Sequence, residues 1–329
     1  MTANRVLTVT ANAAVDHTVW IPGFRAGEVN RVADEDRSPG GKGVNVAAAL
    51  RALNVDVDAT GFLGRDNDGL FAAFFADAGI GDRFLRVPGA TRTGIKIVDD
   101  RAGTTTDVNF PGVAPGPVDV EALAEVVAAA SAGVAWVALS GSLPPGVPVD
   151  LYARLTAAAH AGGASVALDT SGEALAAAIP AGPDLVKPNV EELEELAGRP
   201  LATTEDRLAA AQRLRDGGVA RVCVSLGAVG AIFVDEVGAV AARPPPVVVA
   251  STVGAGDATV AGAIAALLRG DPIGGVARLA TACGATAVAG VGPWLDPEAV
   301  ARRAADVKIE VLAGTTPPAP HPRYRGSSS

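Results

Sequence analysis

The sequence predicts an α/β protein of three layers, a mostly parallel central sheet between helices, with a small β-sheet lid. Three observations lead there. Short runs rich in Val, Leu and Ala alternate with longer stretches of helical apolar spacing, the rhythm of parallel strands joined by crossover helices. The strand-like runs are nearly continuously apolar, as strands covered on both faces must be. Two stretches break the rhythm, carrying turn residues and alternating β pattern where another helix is expected.

Taken in order, residues 6–10 read as a first strand, 44–53 as a helix, 58–63 as a strand and 69–78 as a helix. After a break, 120–130 is helical, 134–140 a buried strand, 151–161 helical and 165–169 a strand. A short strand at 185–187 leads into a helix at 190–196, followed by a helix at 206–216 and a strand at 221–225. Residues 231–234 and 239–242 form a hairpin, and two long helices begin near Ala258 and Pro272. The interrupting stretches, about 18–33 and 84–110, contain Thr93-Gly94-Ile95-Lys96-Ile97-Val98 and Thr104-Thr105-Thr106-Asp107-Val108-Asn109. They predict a small antiparallel lid, with extra edge strands on the main sheet as the other arrangement the pattern allows. One domain over 1–314 accommodates all of this, and the Pro-, Arg-, Gly- and Ser-rich residues 315–329 read as a disordered tail.

Composition bounds the function. The 329 residues are 49% hydrophobic and 19% charged, with a net charge of −9, which excludes nucleic acid as a partner but permits a local basic pocket for a phosphorylated small molecule. Only Cys223 and Cys283 occur, both in apolar surroundings, so they read as buried thiols of a reducing compartment. No uninterrupted apolar run reads as a membrane span and no secretory leader is evident, so a cytoplasmic location is expected.

The turn Ser251-Thr252-Val253-Gly254-Ala255-Gly256-Asp257 carries the most chemistry. Its glycines let backbone N–H groups approach a phosphate, and the following helix adds its positive end. Asp257 in the first helical turn could then take the proton of an attacking hydroxyl. The same residues also read as an ordinary helix start, capped by Ser251 or Thr252 with Asp257 complementing the dipole.

Loops at the carboxyl ends of strands supply the other candidates, since ligands bind there in open parallel sheets. Pro39-Gly40-Gly41-Lys42-Gly43-Val44-Asn45 offers close backbone approach, a cation and an amide, but lacks the spacing of a Walker A loop. It suits a polyhydroxylated ligand, or simply a tight helix entry. Asp16, just past the first strand, can accept hydrogen bonds from sugar hydroxyls or form an Asx-turn. Arg92 and Lys96 share one face of a predicted strand and could clamp a phosphate, or face solvent. Lys187-Pro188-Asn189-Val190-Glu191-Glu192 contains a capping-box variant in which Asn189 and Glu192 could also organise a hydrated Mg²⁺. Ser225-Leu226-Gly227-Ala228-Val229-Gly230 ends a strand in a loop suited to a nucleotide or to a hairpin.

With these blocks in this order, the chain resembles the ribokinase-like sugar kinases of the PfkB family, most specifically in Gly40 to Asn45 and Ser251 to Asp257. Gly27-Glu28-Val29-Asn30-Arg31, Gly61-Phe62-Leu63-Gly64-Arg65-Asp66-Asn67, Thr106-Asp107-Val108-Asn109-Phe110 and Ser140-Gly141-Ser142-Leu143-Pro144 are most similar to the branch that phosphorylates fructose 1-phosphate. The resemblance implies a ribokinase-like fold and ATP-dependent transfer to O6 of that sugar phosphate. Tagatose 6-phosphate, fructose 6-phosphate or an unphosphorylated sugar or nucleoside are the other acceptors within such chemistry, and a non-catalytic sugar-phosphate sensor is a different class. A nicotinamide-dependent oxidoreductase lacks its G-x-G-x-x-G after the first strand.

Carried over by position, the resemblance implies Asp257 as base and Gly254, Ala255 and Gly256 as the anion hole. Asp16, Gly40, Gly41, Asn45 and Asn109 fall to the sugar, and Lys42, Arg92 and Lys96 to its existing phosphate. Lys187, Asn189, Ser225, Gly227, Gly230 and Thr252 fall to ATP, with Asn189 and Glu192 holding Mg²⁺ through water. Two departures stand out: Gly94 replaces an Asn frequent between the Arg and Lys, and Ala13-Ala14 replaces Pro-Ala or Pro-Ser. Exposed lid strands are edges that need covering, which predicts a homodimer joined through the lid.

Overall fold

A computed structural model describes residues 4–290, 292 and 294–312; the expected tail at 315–329 lies outside them. Strand β1 (Arg5–Thr10) leads into β2 (Ala14–Trp20), β3 (Asp34–Gly40), α1 (Lys42–Ala52), β4 (Asp56–Gly64) and α2 (Gly69–Ala78). Two short strands, β5 (Gly81–Asp82) and β6 (Leu85–Val87), precede β7 (Arg92–Asp99) and β8 (Thr104–Asn109). Next come α3 (Pro117–Ser131), β9 (Trp136–Ser140), α4 (Leu151–Ala161), β10 (Ser165–Asp169), α5 (Gly172–Ala178) and β11 (Leu185–Val186). The chain continues through α6 (Val190–Ala197), α7 (Thr204–Asp216), β12 (Arg221–Ser225), β13 (Ala231–Val234) and β14 (Ala239–Arg243). It ends with α8 (Ala255–Leu268), α9 (Ile273–Val288), α10 (Pro297–Asp306) and β15 (Lys308–Val311).

The α/β fold is the predicted one. The main sheet runs β15-β14-β13-β12-β11-β10-β9-β1-β4-β5, with β6 also on β4. It is parallel from β12 to β5, and antiparallel from β12 through β13 and β14 to β15. Val6, Trp136, Ala138 and Ala167 pack towards α1, α8 and α9, whereas Leu7, Val9, Val137, Leu139 and Val166 pack towards α3 and α4. Period-two alternation thus feeds two cores, and the strands are buried on both faces. The chain first places β4 beside β1 and later β9 on its other side, so a crevice opens at the carboxyl end of β1 where the strand order reverses. Among the described residues, no helix is long and apolar enough to cross a membrane.

The lid differs from expectation in two respects. It is a four-stranded sheet in the order β3-β2-β7-β8, antiparallel at both edges but parallel between β2 and β7. Its strands also begin and end elsewhere than at 18–33 and 84–110: most of residues 21–33 connect β2 to β3, and Leu85–Val87 pairs with β4 of the main sheet. Strand β3 reads Asp-Glu-Asp-Arg-Ser-Pro-Gly and is mostly exposed, so no apolar alternation marks it; pairing with β2 over seven residues holds it. The parallel β2–β7 contact arises because the chain returns to the core between them.

Helices α8 and α9 meet at Gly262, where an added Cβ would lie 2.8 Å from Ala280 Cα and 2.9 Å from Cys283 Sγ. Replacing Gly262 by Val overpacks this contact without touching the site. The expected loss is about 1–3 kcal/mol, read as a lower denaturant midpoint at unchanged m-value.

Candidate active site

One alternation builds the floor of the site. Val6, Trp136, Ala138, Ala167, Leu185 and Cys223 face α1, α8 and α9. Counting by two from them places Thr10, Ser140, Asp169, Lys187 and Ser225 on that face at the carboxyl ends of five strands. Helix α8 runs across this row, and Gly254, in the left-handed region at φ 77°, turns the chain into its first residue, Ala255. No side chain caps α8, so neither Ser251 nor Thr252 acts as the helix cap considered from sequence; Ser251 Oγ instead accepts from the Val253 N–H at 3.2 Å. The first amides of α8 are therefore left without a side-chain acceptor, the arrangement that suits an anion.

Asp257, in the first turn of α8, is buried and accepts a 2.8 Å hydrogen bond from Asn45 Nδ2 on α1. Beneath it lies Asp169, completely buried, whose Oδ1 faces Lys42 Nζ at 3.1 Å and Lys187 Nζ at 3.3 Å. Burial alone would raise the Asp169 carboxyl, but Lys187 and Lys42 outweigh it and hold it below the ordinary carboxylate value. Asp257 goes the other way: burial, then the Asp169 charge, push it up to about 6, against the hydrogen bond from Asn45 and the charges of Lys42 and Lys187. Desolvation is the largest of these effects.

Two of the predicted lysines converge on Asp169. Lys187 is only 6% exposed and pairs with Asp169 under the anion turn, with its Nζ 3.3 Å from where a Cβ on Gly256 would stand. Lys42 likewise pairs with Asp169 through its partly exposed side chain. Both cations therefore lie close enough to Asp257 for their charges to act on its carboxyl.

The lid collects the acceptor candidates. Asp16 lies opposite Gly94, and Gly94 opposite Asn109, while Arg92 and Lys96 flank Gly94 on the same strand face. A Cβ on Gly40 would sit 2.2 Å from Asp16 Oδ2, so only glycine lets the carboxylate lie against the β3 backbone. Burial raises Asp16 above the ordinary value, with Lys96 and Arg92 opposing it. Lys96 Nζ pairs with Asp107 Oδ1 on β8, which partly satisfies this predicted phosphate cation. Arg92 is half-buried and donates from Nη1 to Phe110 O and from Nη2 to Asn12 O, each at 3.3 Å. Gly41, at φ 112°, turns from β3 into α1 and presents Lys42 and Asn45 in its first turns.

On the other side of α8 a cavity of about 790 Å³ is lined by Asn189, Ser225, Gly227, Gly230, Thr252, Ala255 and Gly256. Seven of the predicted ATP and anion-hole positions therefore share one space, large enough for a nucleotide, whereas Lys187 and Gly254 do not line it. Apolar Pro245, Val247, Val249 and Val288 close it, an apolar wall that carried no motif. Asn189 and Glu192 form a reciprocal capping box, with Glu192 N–H donating to Asn189 Oδ1 at 2.7 Å and Asn189 N–H to Glu192 Oε2 at 2.9 Å.

Sequence reasoning missed Asp169 as a functional residue, although a carboxylate ending a buried strand is a detectable signal. It also missed Asn12 and Ser142, whose amide and hydroxyl meet at 3.2 Å, because short polar side chains after strands are common in turns.

A helix-borne carboxylate between a nucleotide-sized cavity and a polar lid is the layout of a kinase acting on small polar molecules. The profile of the pfkB family carbohydrate kinases matches residues 7–298, and the chain belongs to that family. It is 50% identical over 310 residues to the 1-phosphofructokinase of Rhodobacter capsulatus, covering 94% of this chain and 98% of that protein. Identity to the 1-phosphofructokinase of Escherichia coli K12 is 41% over 286 residues, covering 87% and 91%. The structure of Escherichia coli phosphofructokinase-2 in complex with substrates and products superposes with a TM-score of 0.88 at 30% identity, covering 92% of this chain and 99% of that one.

The hydrogen bond from Asn45 lowers the Asp257 carboxyl, and its removal lets it rise further. Asn45→Ala is therefore expected to move the acidic limb of the kcat/KM profile, near pH 6 in the parent enzyme, to higher pH. An unshifted limb would show that the profile reports another group.

Proposed function

We propose that this kinase transfers the γ-phosphoryl group of ATP to O6 of fructose 1-phosphate, forming fructose 1,6-bisphosphate and ADP. The observation that carries the reading is Asp257 at the uncapped start of α8, held by Asn45 between the cavity and the lid. The names of the relatives supply the acceptor, and Arg92 and Lys96 beside Asp16 supply cations for a sugar that already bears a phosphate.

Catalysis follows from this placement. The O6 hydroxyl gives its proton to the Asp257 carboxylate, and the oxygen attacks the γ-phosphorus in line as the bond to the ADP oxygen breaks. A carboxyl at about 6 is mostly ionised near neutrality yet basic enough to take a late proton. Amides at the start of α8, with Lys42 and Lys187 close by, face the charge spreading over the phosphoryl oxygens. Asp16 and Asn109 receive the sugar hydroxyls, and the lid shields the reaction from water.

Magnesium fits as a hydrated ion. Among the described residues no group of three or more His, Cys, Asp or Glu forms a cage, so its ligands would be phosphate oxygens and water. Asn189 and Glu192 would hold that water shell, and the ion would neutralise phosphate charge when bound.

The protein is further proposed to be a homodimer through the lid. Every residue of β8 is exposed, as is Phe110 beyond it, which leaves an uncovered edge with apolar Val108 and Phe110. Cys223 and Cys283 are free and buried, as suits a reducing compartment, and we place the enzyme in the cytoplasm on that ground.

Asp257→Asn is expected to lower kcat by at least about 10²-fold with little change in either KM. Near-normal turnover would remove Asp257 from the reaction. ADP release measured across fructose 1-phosphate, tagatose 6-phosphate, fructose 6-phosphate and fructose is expected to be fastest with the first. Turnover of unphosphorylated fructose alone would defeat the cationic phosphate site. Light scattering on the eluting protein is expected to give twice the chain mass, and a monomer at working concentration would exclude the lid dimer.

A further inference from the structure

We propose that Asn12 is a positioning residue that pins the root of the lid to the end of β1, and so sets where Asp16 and Arg92 meet the acceptor. The inference rests on the phosphoryl-transfer reading above.

The chain passes between core and lid four times, and three of those passages converge on Asn12. Asn12 itself lies on the passage from β1 to β2, Arg92 opens β7, and Pro111 and Gly112 follow β8. The Asn12 side chain is 8% exposed and donates from Nδ2 to Pro111 O at 3.4 Å and to Ser142 Oγ at 3.2 Å. A carbonyl can only accept, which fixes the orientation of the amide and turns Oδ1 the other way. There Oδ1 has no hydrogen-bond partner and lies where a Cβ on Gly112 would stand, 2.2 Å away. Gly112 is at φ 99°, so both its backbone and its missing side chain are adapted to the amide.

The main chain closes the same knot. Asn12 O accepts from Arg92 Nη2, and Arg92 Nη1 donates to Phe110 O, both at 3.3 Å. Arg92 Cδ is 3.3 Å from the Gly112 Cβ position. One residue thus joins the end of β1, the loop after β9 and the exit of β8 through its side-chain amide and, through its main-chain carbonyl, the guanidinium that opens β7. Asp16 lies four residues along the same strand connection. Without this amide nothing in the knot ties the β8 exit to the Ser142 loop, and Asp16 and Arg92 would be presented to the sugar over a broader range of positions. A small misplacement of this kind is costly because reacting groups must be held to within fractions of an ångström.

The test compares Asn12→Ala, Gly112→Ala and the double variant in steady-state kinetics and in amide hydrogen exchange. Asn12→Ala is expected to raise KM for the sugar phosphate and lower kcat, together about 10- to 100-fold in kcat/KM, with KM for ATP within about twofold. Exchange over residues 104–113 is expected to accelerate, with the main sheet unchanged. Gly112→Ala alone is expected to be more damaging than Gly112→Ala added to Asn12→Ala, since the smaller residue removes the clash while the backbone strain is common to both and cancels in the cycle. Additive effects, equal losses for ATP and sugar, or parent-like kinetics and exchange in Asn12→Ala would each overturn the proposal. Should Asn12→Ala not fold, Ser142→Ala, which removes one acceptor of the amide, is expected to show the same split at smaller amplitude, and parent-like behaviour there would equally overturn it. A parent protein inactive on every hexose phosphate would sink the functional reading alone, since the exchange comparison still decides whether Asn12 pins the lid.

Discussion

A fully buried carboxylate, Asp169, sets the terms for the whole site. It is tolerated at the end of β10 because two ammonium groups, from Lys42 at the start of α1 and Lys187 just after β11, face the same oxygen. Removing Asp169 would leave the buried Lys187 ammonium uncompensated, a loss of about 3–5 kcal/mol, so the carboxylate ties these three elements into one arrangement. The Asp169 backbone joins the lock as well: its carbonyl accepts from the Gly141 N–H, and Tyr152 OH and Thr170 Oγ1 reach the Gly141 carbonyl at 2.9 Å.

From that lock the chemistry of Asp257 follows. The negative charge of Asp169 and the dry surroundings raise it, while Lys42, Lys187 and Asn45 keep it from rising further. The outcome is a carboxyl near 6 at a helix start, ionised at neutral pH and still able to hold a proton in passing. Two cations that neutralise a buried anion thereby also act on the carboxyl beside them. One electrostatic cluster couples the stability of the strand ends to the basicity of Asp257.

The lid stands in a different relation to the core. One face of it is polar, with Asp16, Arg92, Lys96 and Asn109 around Gly94, while Val15 of β2 joins the core cluster. Hydrogen bonds at the chain crossings add to that attachment. The Asn67 amide brackets Thr91 with bonds of 2.7 and 2.9 Å, and the Asp99 carboxylate accepts from the Gly23 and Phe24 amides at the outer end. Such a structure suits an element that must open for the acceptor and close over it.

How much of this could be read in advance depends on range. Apolar rhythm identified the doubly covered parallel sheet, since alternation and run length report burial of the nearest neighbours, and short glycine-bearing turns marked where strands hand over to ligands. Asp257 and Asn45, which the structure brings into hydrogen-bond contact, and the loop residues that line the cavity beside α8 stood out in that way. Strand β3 was not, because four charged or acidic residues in a row carry no burial signal and only its pairing with β2 makes it a strand. Nor was Asp169, whose meaning comes from lysines 127 and 18 positions distant along the chain. The sequence by itself determined the fold class, the family and the residue types at each strand end. Which cation neutralises which carboxylate, how far Asp257 rises, and which crossings anchor the lid were decided only in three dimensions, because long-range electrostatics and close packing depend on distances that no local pattern encodes.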